Sequence, residues 1–311
     1  MFDLAVIILR WVQMTGAMIL FGSSLFFLYA LPKNGPASAL EQRWARPLLL
    51  KSAAAIFVAC VAGFLAQTIV LAGSLQDGLQ VDALNAALTG MSFGKSSLVR
   101  AITAGLFIGA FALAGPGRRG WWIATLAGGV ICMSFAWMGH GAATKGAAGL
   151  VHVSSDILHT FAASVWIGAL VVFLILLASD GRDADLGRRT ALHEALHGFA
   201  GVGSGLVAVL VATGLINSWF VVGLAGLPRM WTTTYGQLLT VKLVLFGVML
   251  ALAAANRFHL TPRLGAALPE HGPATGAVAA LRGSLIWETG LSVVVLGLVA
   301  WFGMLTPPSA S

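Results

Sequence analysis

Residues 150–178 read LVHVSSDILHTFAASVWIGALVVFLILLA, a long apolar run whose ionisable side chains all lie in its first third. These side chains are His152, Asp156 and His159. A helix that crosses a membrane needs about 20 predominantly apolar residues. The stretch therefore predicts a transmembrane helix that carries three ionisable groups near one end.

The composition of the whole chain extends this prediction to the entire protein. Of its 311 residues, 58% are hydrophobic and only 9% are charged, whereas soluble domains carry about 25% charged residues. This excludes a soluble enzyme, a disordered chain and a disulfide scaffold. The apolar runs are continuous rather than alternating, which argues against a membrane β-barrel. We therefore predict an all-α, polytopic membrane helix bundle.

Seven further runs are apolar and long enough to resemble residues 150–178. Together they predict about eight transmembrane helices, while residues 76–90 predict a loop with a short surface helix. The predicted spans are approximately 4–30, 48–73, 97–114, 121–138, 150–178, 199–222, 236–257 and 284–305.

The basic residues predict the orientation of these helices. Most of the 18 Lys and Arg lie in the loops after the first, third, fifth and seventh spans, and such loops are usually cytoplasmic. Both termini are then periplasmic in a bacterial inner membrane. The net charge of +7 is explained by this bias, so we expect no nucleic-acid partner.

The two halves of the chain, 1–145 and 146–311, resemble each other as two four-helix units. Arg10 and Gln13 of the first span occupy the positions of Asp156 and His159 in the fifth. An even number of spans per half gives both halves the same orientation, so a parallel repeat is predicted. The other matching pairs are Gly22 with Gly168, Phe27 with Phe173, Arg100 with Lys242, and Trp137 with Trp301.

A candidate metal site lies at the outer end of the fourth and fifth spans. His152, Asp156 and His159 are spaced four and three residues apart and so share one helical face, while His140 ends the preceding span. Imidazole and carboxylate groups suit zinc or Cu(II), and imidazole with thioether suits Cu(I). The nearby Met14 and Met138 are possible thioether ligands. In the alternative interpretation, Asp156 neutralises Arg10 in a buried ion pair, His152 is an interfacial residue, and His159 is a hydrogen-bonded core histidine.

Two other groups of side chains, on the cytoplasmic side, are candidates for ion-binding or catalytic roles. Glu288 near the start of the last span is expected to pair with Arg257, or alternatively to relay a cation. Residues 193–197 read HEALH, which matches the H-E-x-x-H zinc-protease pattern. A third ligand could come from Glu270, His271 or His259. The alternatives for His193 and His197 are a cytoplasmic metal-handling site and a solvated amphipathic linker.

The second half resembles the copper resistance protein D (CopD) family of inner-membrane proteins. The resemblance rests on Gly139-His140-Gly141-Ala142, on His152 with Asp156 and His159, and on Trp166-Ile167-Gly168-Ala169-Leu170. Later matches are Thr213-Gly214 with Asn217, Thr234-Tyr235-Gly236, Lys242, Asn256-Arg257-Phe258 and Glu288. The family pattern implies copper handling across the inner membrane with a periplasmic CopC-type copper-binding partner. Position 13 is Gln, where many members have His, and H-E-x-x-H is not a family feature.

The resulting hypothesis is copper transport or acquisition across the cytoplasmic membrane, without enzymatic activity. His140 and His152 would capture copper, either Cu(I) or Cu(II), and pass it to Asp156 and His159, while Arg10 compensates Asp156 when the site is empty. The sequence contains no G-x4-G-K-[ST] motif for ATP. The alternatives are a copper-binding protein that does not transport, a haem-binding redox protein, and an H-E-x-x-H metalloprotease. Haem is disfavoured because His159 is the single histidine deep in a span.

Overall fold

The chain folds into helices, and the described residues contain no β-strand. The computed structural model describes residues 2–30, 36–138, 146–178, 186–267 and 275–307. Eight described helices are long and apolar enough to cross a membrane, which confirms the predicted number and the polytopic all-α class. They are α1 (Phe2–Tyr29), α2 (Pro36–Ala72), α5 (Ser92–Ala114), α6 (Arg118–Ser134), α7 (Gly146–Ala178), α8 (Leu186–Val221), α10 (Thr234–Ala255) and α12 (Thr275–Phe302).

Four short helices connect the long ones. They are α3 (Leu75–Gly78), α4 (Val81–Gly90), α9 (Gly223–Gly226) and α11 (Thr261–Ala267). The segment expected to contain a short surface helix holds both α3 and α4. Several long helices begin before their predicted spans, with α8 starting at Leu186 and α12 at Thr275, because polar residues continue the helix beyond its apolar window.

The centre of the bundle is a parallel pair, α1 and α7. Phe21 stacks on Phe161 with ring centroids 5.0 Å apart, and Phe26 meets Phe173 edge to face at 5.2 Å. Contacts therefore advance together along both helices. Between these two levels Gly22 lies against Gly168, where a Cβ on Gly168 would be 2.2 Å from the carbonyl carbon of Gly22. Glycine at both positions is what allows the backbones to approach this closely.

The remaining helices surround this pair unequally. The central α1 packs against α2, α6, α7 and α12, whereas α7 packs mainly against α1, α8 and α12. The apolar windows of α8 and α10 are the least buried of the eight, so these two helices present most of their surface outward. We call the end at which α1 and α7 begin the outer end of the bundle, and the opposite end the inner end.

A π-helical turn, Asn256–Leu260, joins α10 to α11. Single π turns inside α-helices widen the ladder locally and are frequent at functional sites. Here the turn begins at Asn256, whose side chain is buried. The turn therefore brings an amide into the inner half of the bundle, where it meets Glu288.

Candidate metal centre

His152 lies on the outer part of α7 and is buried against α8. Its ring stacks on Phe220, with centroids 4.6 Å apart and planes inclined by 11°. Only 4% of the residue is exposed. The aromatic ring of Phe220 covers one face of the imidazole.

His159, two turns further along α7, is oriented by a threonine of α8. Its Nδ1 lies 2.9 Å from Thr213 Oγ1, and that hydroxyl donates its own hydrogen to Val209 O at 2.6 Å. Thr213 Oγ1 therefore accepts from His159, which places the imidazole proton on Nδ1. The lone pair of Nε2 remains available, and a neutral imidazole binds a metal through the ring nitrogen that carries no proton.

Asp156 lies between the two histidines in sequence and makes no hydrogen bond to any described residue. It lies within electrostatic range of His152, Lys242 and Arg10. Its oxygens therefore keep their lone pairs, while three basic side chains lie within electrostatic range of them. A carboxylate in this state is able to bind a metal ion or a proton.

Arg10 does not form the direct ion pair with Asp156 that the alternative interpretation requires. Its Nη1 donates to Gly303 O at 3.2 Å and lies 4.0 Å from Met304 Sδ. Gly303 directly follows α12, where helix carbonyls lack intrahelical partners. The guanidinium satisfies this free carbonyl and acts on Asp156 only through space.

Lys242 of α10 is the other cation near Asp156, in addition to Arg10 of α1. Its Nζ lies 5.7 Å from the centroid of the Phe302 ring, so the ammonium is held by an aromatic face. It is also within electrostatic range of Asp156. Asp156 thus faces cations from both α1 and α10.

The expected convergence of the candidate ligands is only partly visible. His140 lies outside the described residues. Among the residues that are described, no three His, Cys, Asp or Glu side chains are grouped closely enough to hold a metal ion. Both imidazoles contact α8, and Asp156 lies within electrostatic range of His152 as well as of Lys242 and Arg10.

The two candidate thioether ligands occupy different environments. Met14 is buried in the main apolar core. Met138 contacts Arg100 of α5, with Sδ 2.6 Å from Nη2. The sulfur of Met138 therefore already interacts with a cation.

The predicted pairing of Glu288 with Arg257 is wrong. Glu288 is buried and accepts from Trp166 Nε1 at 2.7 Å and from Asn256 Nδ2 at 2.9 Å. Arg257 is exposed, donates to Ser204 Oγ and lies over the Phe258 ring. The carboxylate is stabilised by two neutral donors because both reach it inside the bundle, whereas Arg257 points out of it.

The HEALH segment cannot be assembled into a site from the described side chains. His193 and Glu194 have no described side chain, while His197 and His259 are exposed. Glu270 and His271 lie outside the described residues. The protease interpretation therefore gains no support from the geometry.

Sequence reasoning missed three partners: Thr213, Trp166 and Asn256. Each belongs to a short motif that carried the family resemblance, Thr213-Gly214, Trp166-x-Gly168 and Asn256-Arg257-Phe258. The motifs were the available signal, but they did not say which side chain each residue contacts.

The fold and the buried polar groups define a multi-pass α-helical membrane protein with ionisable side chains held in the outer half of its bundle. Comparison with known proteins supports this assignment to a class of membrane proteins. Residues 1–150 match the copper resistance protein D-like N-terminal domain, and residues 193–302 match copper resistance protein D. Copper resistance protein D of Pseudomonas syringae pv. tomato is 34% identical over 305 residues, covering 97% of this chain and 96% of the relative. The chain belongs to the copper resistance protein D family.

Two other relatives match over shorter stretches. Inner membrane protein YebZ of Escherichia coli K12 is 32% identical over 130 residues, 42% of each chain. Copper transport protein CutJ of Bacillus subtilis 168 is 28% identical over 169 residues, 54% of this chain and 28% of the relative. No solved structure matches the chain.

Proposed function

We propose that the protein carries copper across the bacterial inner membrane and captures it at the outer end of α7. One observation carries the proposal most strongly: Asp156 makes no hydrogen bond to a described residue, and a histidine lies one turn to either side of it. The identity of the metal is inferred from family membership, because the names of two relatives refer to copper resistance and copper transport.

The chemistry of the proposed centre fits this cargo. The Nε2 lone pair of His159 and the oxygens of Asp156 are donors that copper accepts. Thr213 is an outer partner that fixes the His159 tautomer. His152 and His140 would complete the site, with His140 on the segment just before α7.

Arg10 and Lys242 have a defined role in this proposal. They stabilise the negative charge of Asp156 when no copper is bound. When copper binds, their repulsion weakens the complex, so copper is released as well as captured. A pathway needs this balance, since a site that binds too tightly blocks transport.

The proposed orientation places both termini in the periplasm, so the centre faces a periplasmic CopC-type partner that would deliver copper. The lipid bilayer surrounds α8 and α10. We propose a carrier rather than an enzyme.

A copper-binding protein that does not transport is the second candidate, favoured by a specific feature of α7. On the face of α7 that carries His159, the residue one turn inward is Ala163. The next residue inward on that face is Trp166, which is buried and hydrogen-bonded to Glu288. The polar stripe is therefore interrupted between the outer centre and Glu288.

Copper accumulation in cells distinguishes these candidates. Cells that express the wild type are expected to accumulate more copper than cells with the empty vector, and His159→Ala should abolish the excess. His197→Ala is the matched control, since this exposed histidine lies outside the centre. Binding to purified protein without any change in cellular copper would support the second candidate. Equal accumulation by wild type and His159→Ala would contradict the proposed centre.

A further inference from the structure

A polar cavity lies at the outer end of the first half, between α1, α2 and α5. Its lining includes Arg10, Gln13, Gln67 and Ser97, together with the thioether of Met138. Gly63 leaves space beside Gln13, since a Cβ there would lie 2.8 Å from Gln13 Nε2. The cavity is separate from the histidine-bearing face of α7, and its polar lining consists of amides, a hydroxyl and a guanidinium.

Directly behind this lining lies a fully buried arginine. Arg100 is 0% exposed. It donates to Ser97 Oγ at 3.1 Å and to Ser134 Oγ at 3.3 Å. Its guanidinium carbon also lies 4.7 Å from the centroid of the Phe135 ring. The buried thiol of Cys60 is a further partner of the guanidinium. None of these partners is a carboxylate, so no carboxylate contacts Arg100 in the described chain.

For the two arginines, the described carboxylates supply a single counter-charge, that of Asp156, which acts on Arg10. Arg10 and Arg100 lie within electrostatic range of each other, and Nε of each is buried without a hydrogen-bond partner in the described chain. Asp156 is the one described carboxylate in range of Arg10, and it also faces Lys242. Uncompensated charge inside a membrane is costly, so a ligand that supplies negative charge would stabilise this region.

The lining offers the donors that such a ligand needs. Ser97 Oγ accepts from Arg100 and donates to no described group, so its hydrogen is free to point into the cavity. Gln13 Nε2 uses one hydrogen on Ala59 O at 2.8 Å and keeps a second. Gln67 adds another amide. A cation such as copper would be repelled here by both guanidinium groups.

We infer that this cavity binds a small monovalent anion, of which chloride is the simplest. A multiply charged anion is disfavoured because the remaining lining, Val6, Phe93 and Met138, is apolar and cannot replace a large hydration shell. In the predicted repeat, Arg10, Gln13 and Arg100 occupy the places of Asp156, His159 and Lys242. The two halves therefore carry sites for ions of opposite sign at the same depth.

Chlorine-35 NMR of the full chain in nanodiscs of zwitterionic lipid tests the anion site. Chloride exchanging with a protein site gives a broadened line, so the wild type is expected to broaden the signal beyond empty nanodiscs. Ser97→Ala removes one hydrogen bond to the ion and is expected to weaken chloride binding about tenfold. Ser292→Ala, a buried serine bonded to its own helix, should bind as the wild type does.

A second pair of variants tests whether chloride binding needs the positive charge of Arg10. Arg10→Gln is expected to lose chloride binding, whereas Arg118→Gln, an exposed arginine at the start of α6, should retain it. If Arg10→Gln does not fold, the Ser97 and Ser292 pair decides the question. Wild-type broadening no greater than that of empty nanodiscs, or equal broadening in Ser97→Ala and wild type, would overturn the proposal.

The source of the anion is distinguished by the lipid. At constant chloride, nanodiscs that contain phosphatidylglycerol should give the same broadening if the ligand is a dissolved ion. Loss of the chloride signal in anionic lipid would instead assign the cavity to a headgroup phosphate and overturn the inference of a free anion. None of these measurements involves copper.

Discussion

Gly22 of α1 and Gly168 of α7 lie backbone against backbone, and Arg10 and Asp156 each lie twelve residues before them. Because the two helices are parallel, this contact sets Arg10 and Asp156 at the same depth, about 18 Å outward along the helices. The close approach of two glycines thus determines which charges face each other at the outer end.

Substitution of either glycine should destabilise the bundle. A Cβ on Gly168 would lie 2.2 Å from Gly22, so Gly168→Ala must separate the helices and is expected to cost about 1–3 kcal/mol. Thermal unfolding in detergent, followed by tryptophan fluorescence, measures the change. Gly247→Ala is the matched control, since a Cβ there meets no atom within 4 Å. Equal unfolding temperatures for the two variants would show that the helices do not need this contact.

Thr213 should determine copper affinity without being a ligand. Thr213→Val removes the acceptor for His159 Nδ1–H, and loss of such an outer partner typically weakens metal binding 10–100-fold. Equilibrium titration of purified protein with copper provides the measurement. Thr240→Val is the control, because the hydroxyl of Thr240 donates to Gly236 O of its own helix and to no other described residue. Unchanged affinity in Thr213→Val would remove His159 from the proposed centre.

The Trp166–Glu288 contact should contribute to stability. Trp166→Phe leaves Glu288 Oε1 without its donor inside the bundle, and an unsatisfied buried group of this kind costs about 1–3 kcal/mol. Trp287→Phe is a suitable comparison, because Trp287 is 70% exposed. Chemical denaturation of both variants checks the expectation, which fails if Trp166→Phe is as stable as Trp287→Phe.

The predicted orientation can be tested with reporter fusions. Alkaline phosphatase folds in the periplasm, so a fusion after residue 307 should be active, and a fusion within the loop that follows α7 should be inactive. The positive-inside bias is the physical reason. The reverse pattern of activity would place the α7 histidines on the cytoplasmic side.

The number of helices was predictable from sequence because length and hydropathy alone decide whether a segment can cross a membrane. The family was predictable from the motifs around His152 and Trp166. Helix-to-helix partners were harder. Arg257 was expected to pair with Glu288 because their charges are opposite, but Trp166 and Asn256 reach the carboxylate inside the bundle.

Arg10, at the outer end, is a second residue whose partner on another helix could not be predicted from the sequence. The alternative interpretation of the sequence placed it in a buried ion pair with Asp156, whereas the guanidinium donates to Gly303 O. A sequence displays the charged groups but not the free carbonyls that a helix end creates. The role of Thr213 was hidden for a related reason, since its hydroxyl acts through the tautomer of a histidine on another helix.

Copper binding by the purified protein tests the central claim most directly. We predict that the wild type binds copper and that the double variant His152→Ala, His159→Ala binds it more than about 100-fold more weakly, since loss of an outer partner alone costs 10–100-fold. His197→Ala should bind as the wild type does. Equal copper affinity in the wild type and the double variant would contradict a copper centre on α7.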